Sequence, residues 1–128
     1  MAHYGYSKRL NIPFDEAIEK TIAALKQEGF GVLMDIDIKK TLKEKINADF
    51  KQYRILGACN PKRAYGALQS EDEIGLLLPC NVVVYEKDDG VVVSMLRPTA
   101  LFSLVDNPSI APLAEEVEKN IKRAIDSI

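Results

Sequence analysis

Residues 80–97 read CNVVVYEKDDGVVVSMLR, two valine-rich runs joined by Asp88-Asp89-Gly90. β-Branched runs favour strands, and an Asp-Gly turn between two of them closes an antiparallel hairpin. The expected strands are Cys80 to Lys87 and Val91 to Arg97. Pro79 has no amide hydrogen for a ladder, so the first strand is expected to begin after it. Any fold of this chain has to pack its remaining segments around that hairpin.

The flanking segments supply more strands and the helices to cover them. Tyr4 to Leu10 alternates as a first strand, and Pro13 marks the entrance to a helix with Phe14, Ile18, Ile22 and Leu25 on one side. Gly29 is placed to end that helix, with Phe30 packing back on it. Phe30 to Ile36 alternates again, which predicts Phe30, Val32, Met34 and Ile36 on one face and Met34 in the core. Asp37 then caps a short helix with Ile38, Leu42 and Ile46 on one face, surrounded by lysines and closed by Asn47. Lys51 to Cys59 is the next strand. Asn60-Pro61 starts a helix as cap and first residue, with Ala64, Tyr65 and Leu68 expected inside. Ser70 and Glu73 have capping-box spacing for a further turn. Thr99 to Val105 is expected as a turn or short helix. From Ile110 to Ile128 apolar residues recur every 3.6 positions, with Glu115, Glu116, Glu118 and Lys122 outside the stripe. The predicted class is α+β: one mostly antiparallel sheet covered on one face by two long helices, with short helical inserts, in a single domain over residues 1–128. The uncovered face and free edges favour self-association as a two-fold dimer.

The totals remove several function classes. With 128 residues and 47% hydrophobic content the chain can bury a core, and its net charge of -2 is spread without a basic block. That composition points away from non-specific nucleic-acid binding. No apolar run reaches the roughly 20 residues of a membrane span. The N-terminus has no apolar stretch of the signal-peptide kind, so a cytoplasmic location with reduced thiols is expected. His3 lies outside any periodic segment and reads as a frayed terminal side chain. No phosphate-binding loop, dinucleotide glycine fingerprint or nucleophile elbow is present, so no cofactor is predicted.

The most specific signal is a repeated dipeptide. The chain has two cysteines, and each is followed by asparagine: Cys59-Asn60 and Cys80-Asn81. Cys59 closes one strand and Cys80 opens another, so antiparallel pairing brings both to one rim of the sheet. The helix starting at Pro61 aims its N-terminus there, which would lower a thiol pKa or hold a small anion. Gly57, beside Cys59, suggests close approach of a backbone or ligand. Lys62, Arg54, Arg63 and Arg97 are candidate linings of an anion pocket, against their plainer role as solvated charges. The plainer role for the cysteines is packing, since free cysteine is among the most buried residue types. Asn60 is explained by capping, whereas Asn81 has no such role. Two thiols and a terminal histidine fall short of four metal ligands, and Tyr53 and Tyr65 read as core residues with their hydroxyls at its edge.

From Gly29 to Val84 the chain resembles the domain of unknown function 302 family, with the likeness extending over nearly the whole chain. The residues that carry it are Gly29-Phe30-Gly31-Val32, Asp35-Ile36-Asp37-Ile38 with Thr41-Leu42, the run Tyr53 to Pro61, and the run Ile74 to Val82. The resemblance implies a β-α-β4-α fold of the TATA-binding-protein-like type and a homodimer. It concerns architecture and supplies no reaction. The expected function is a small-molecule or anion-binding module with Cys59, Asn60, Cys80 and Asn81 as ligand-binding residues; the alternatives are a thiol enzyme or redox protein using both cysteines, and a structural or partner-binding dimer whose cysteines pack.

Overall fold

The structure is a computed structural model describing residues 3–128. Five strands form one sheet: β1 (Gly5–Leu10), β2 (Gly31–Asp37), β3 (Tyr53–Cys59), β4 (Cys80–Lys87) and β5 (Gly90–Leu96). Their order is β1-β5-β4-β3-β2, and every neighbouring pair is antiparallel. The expected hairpin lies inside this sheet, turning through Asp88 and Asp89 with Lys87 opposite Gly90.

Two long helices, α1 (Phe14–Gln27) and α5 (Ile110–Asp126), cover one face. α1 ends as its glycine predicts: Gly29 has φ 84°, and Phe30 donates its amide to the Leu25 carbonyl while its ring is buried. Beneath the helices, Leu56, Val82, Val84, Val93 and Met95 are each 0% exposed. Each such side chain contributes roughly 1.5–3 kcal/mol on burial, so this face holds most of the stability. At the far end of α5, Tyr6 donates to Asp126 and Lys8 to the Ile128 carbonyl, tying the helix to β1.

β2 departs from simple alternation. Val32 lies opposite Ala58 but Met34 lies opposite Gly57, so Leu33 is the extra residue of a β-bulge. The bulge leaves Val32 on the helix-covered face and turns Met34 and Ile36 to the other one. Met34 is therefore 45% exposed instead of buried in the core. The same shift sends Asp35 and Asp37 to the covered side, where Arg54 donates two hydrogen bonds to the Asp35 carboxylate and Asp37 caps the next helix by accepting from the Lys40 amide.

The inserts are α2 (Ile38–Ile46), α3 (Pro61–Ser70), a 3₁₀ turn (Asp72–Leu77) and α4 (Pro98–Phe102). A second small core joins Ala67, Ile74, Phe102, Ile110 and Ala114 above the end of the sheet. α3 is rotated from the expected stripe: Ala67 is its buried residue, while Tyr65 and Leu68 are exposed. Alanine permits the close approach of α3 to α5, and the bulkier pair is turned outward. Ser70 ends α3 and caps nothing; its carbonyl accepts from the Asn107 side chain.

On the uncovered face Met34, Ile36, Ile55, Val83 and Leu96 belong to neither core cluster. Tyr53 does not enter the core either; its ring stacks on Tyr85 with centroids 5.3 Å apart.

Candidate functional site

β3 and β4 pair antiparallel with Ala58 opposite Cys80 and Gly57 opposite Asn81, so the two Cys-Asn pairs do share one rim. The strand ends there for local reasons. Asn60 is still extended and caps α3, accepting from the Arg63 amide at 3.3 Å, and Pro61 starts the helix. Pro79 stands at the threshold of β4 and lies with Met34 over Gly57, where a Cβ would sit 2.8 Å from the Pro79 ring. The close approach that Gly57 permits is thus made by two side chains of the same molecule.

Cys59, Asn60 and Cys80 line one small cavity closed over by Phe30, Ala67, Phe102 and Val117. Asn81 does not join them. It is exposed, and its pairing with Gly57 puts it on the other face of the sheet. The cavity measures about 30 Å³, room for roughly one or two water molecules. Both cysteines are half-buried free thiols. Cys80 packs against the main core, and burial, with the neighbouring Cys59 thiol adding to it, pushes its pKa up to about 11. At Cys80 the shift runs opposite to the lowering expected from the α3 N-terminus, because burial disfavours the thiolate.

The first turn of α3 offers little to an anion. Pro61 has no amide hydrogen, the Arg63 amide is bonded to the Asn60 side chain, and the Ala64 amide to the Asn60 carbonyl. The basic residues suggested as pocket linings are largely committed elsewhere. Arg54 is paired with Asp35, Arg63 with Glu116, and Arg97 lies 3.5 Å from Glu118. Among the described residues, no group of three or more histidine, cysteine, aspartate or glutamate side chains is placed to hold a metal ion.

One polar cluster escapes the sequence reading. Glu118 is 7% exposed, although its charge assigned it to the solvated side of α5. Its carboxylate accepts from the Thr99 amide at 3.0 Å and the Thr99 hydroxyl at 2.6 Å, and Lys122 lies 3.4 Å away. Burial alone would raise its pKa, but the bonds from Thr99, with Lys122 and Arg97, overcome this and hold it below the ordinary value. The carboxylate thereby fastens α4 to α5. Its position four residues after Ala114 and three before Ile121 placed it inside the helix's buried arc, a signal that its charge masked.

A family profile described as "Domain of unknown function DUF302" matches residues 6–128. A solved structure described as an uncharacterized conserved protein DUF302 from Bacillus stearothermophilus is 33% identical, with a TM-score of 0.91 over 98% of each chain. No curated protein matches the sequence.

Proposed function

Since this chain belongs to the DUF302 family, whose description carries no activity, its own surfaces have to supply a function, and we propose that it is a self-associating binding module that closes its open sheet face on a second copy. The observation behind this is the run of half-exposed apolar side chains on that face, with Met34, Ile36, Ile55, Val83 and Leu96 outside both cores. These five residues are uncharged, and positive charges on that face, Arg9 opposite Val92 and Lys51 over the Tyr85 ring, lie at its Tyr85 end, so two copies can meet through the apolar part across a two-fold axis. A standard interface buries about 800 Å² per partner, and a face of five strands spaced about 4.8 Å apart is of that order once side-chain relief is counted. Unpaired thiols persist in a reducing compartment, which fits a cytoplasmic location.

Sedimentation equilibrium tests this directly. The expected mass is twice the 14.3 kDa of one chain, and Val83→Lys or Ile36→Lys should give a monomer with unchanged far-UV circular dichroism. A monomeric wild type, or variants that dimerise as well as wild type, would sink the proposal.

A second function is a ligand site at the rim, favoured by Cys59, Asn60 and Cys80 sharing a cavity, with Asn81 marking the opposite side of that rim. The apolar lining and a protonated Cys80 suit a very small neutral ligand better than an anion. A thermal-shift screen on wild type, Cys59→Ala and Cys80→Ala separates the cases. A ligand whose stabilisation vanishes in both variants supports the site; equal shifts in all three remove it. Thiol or redox chemistry is the least favoured of the three, since Cys80 carries little nucleophilic thiolate near neutral pH.

A further inference from the structure

A cleft of about 390 Å³ lies between α4, the loop after it and the first turns of α5, sharing Phe102 and no other lining residue with the cavity at the Cys-Asn rim. That volume is within the range of small-molecule pockets, roughly 300–1,000 Å³. Phe102, Val105 and Ala114 give it an apolar lining. Asp106 and Glu115 are its charged residues, and no lysine or arginine lines it. Neither carboxylate enters an ion pair among the described residues.

The remaining polar groups have the same bias. The Thr99 hydroxyl donates to Glu118 and the Ser103 hydroxyl to the Ala100 carbonyl, which leaves both with lone pairs to offer. The Asn107 amide nitrogen donates to the Ser70 carbonyl and to Glu71, and its oxygen accepts from Ser109. The cleft is thus rich in acceptors, poor in donors, net negative and apolar inside. We propose that it binds a small organic ammonium ion, with the N–H donors at Asp106 and Glu115 and the apolar body against Phe102. A cation without an apolar part would forgo Phe102, a neutral ligand would gain nothing from the two exposed carboxylates, and an anionic one would be repelled by them.

The test is a calorimetric titration of the full chain with phenethylamine, alongside phenethyl alcohol and 3-phenylpropionate as neutral and anionic controls. Saturable amine binding at least about tenfold tighter than either control is expected. That preference should be lost in Asp106→Asn/Glu115→Gln. Ala111→Trp, at an exposed lining position, should block binding by filling the cleft without changing its charge, and it decides the matter if the double variant fails to fold. No saturable amine binding, equal affinity for all three probes, or amine binding that survives in the folded variants would overturn the proposal.

Discussion

On β3, Leu56 is 0% exposed while Ile55, one residue earlier, is half-buried on the opposite face. The same contrast separates Val84 from Val83 on β4 and Cys80 from Asn81 at its start. Both faces carry apolar side chains from the same strands, yet one lies under α1 and α5 and the other under no long helix. Hydrophobic character alone therefore does not decide burial in this molecule. What decides most of it is where the two amphipathic helices dock, with Val92 beside Tyr85 the exception at 1% exposed on the open face, and the remaining surplus on that face is what makes a second copy a reasonable occupant.

The sharpest way to break this comparison is to truncate neighbours on opposite faces. Leu56→Ala should cost about 3 kcal/mol of unfolding free energy and Ile55→Ala about 1 kcal/mol or less in dilute solution, where self-association does not contribute. Equal losses in urea denaturation would mean that the open face is covered after all. Next in size is the buried carboxylate behind the covered face. Glu118→Ala should cost about 2 kcal/mol, because it strands Arg97 and the Thr99 amide. A carboxyl held below its ordinary pKa stabilises the fold above its unfolded-state value, and that contribution is lost as pH falls through the folded one. Wild type should therefore lose stability faster than Glu118→Gln as pH drops from about 5 towards 3.

Cys80 carries the comparison to high pH with the opposite sign. Its folded pKa of about 11 lies above that of a free thiol, so its contribution is complete below about pH 8.5 and is lost as pH rises towards 11. The loss should reach at most about 3 kcal/mol and be absent in Cys80→Ala, as read from melting temperatures across that range. In a Cys59→Ala background, thiolate absorbance should rise near pH 11; a rise near pH 8 would show that Cys80 is not desolvated. The smallest effect belongs to a position outside both faces. Lys43→Met removes an exposed pair with Asp49 and should change stability by less than about 0.5 kcal/mol.

The sequence by itself determined the elements and most of their ends. Valine-rich runs, an Asp-Gly turn, Gly29 after a helix and Asn60-Pro61 before one each act within a few residues, where backbone sterics and local hydrogen bonds settle the outcome. The shared rim of Cys59 and Cys80 followed from those ends plus antiparallel pairing. Only the tertiary structure decided that Leu33 bulges and turns Met34 outward, that α3 packs through Ala67 with Tyr65 exposed, and that Asn81 faces away from Cys80's cavity. It also decided that Glu118 is buried. These outcomes depend on partners distant in the chain: β3 against β2, α5 against α3, and Thr99 and Arg97 beside a carboxylate some 20 residues later. Local pattern fixes which way a strand or helix can face, but the free energy of burying one side of it is set by whatever the rest of the chain brings up against it.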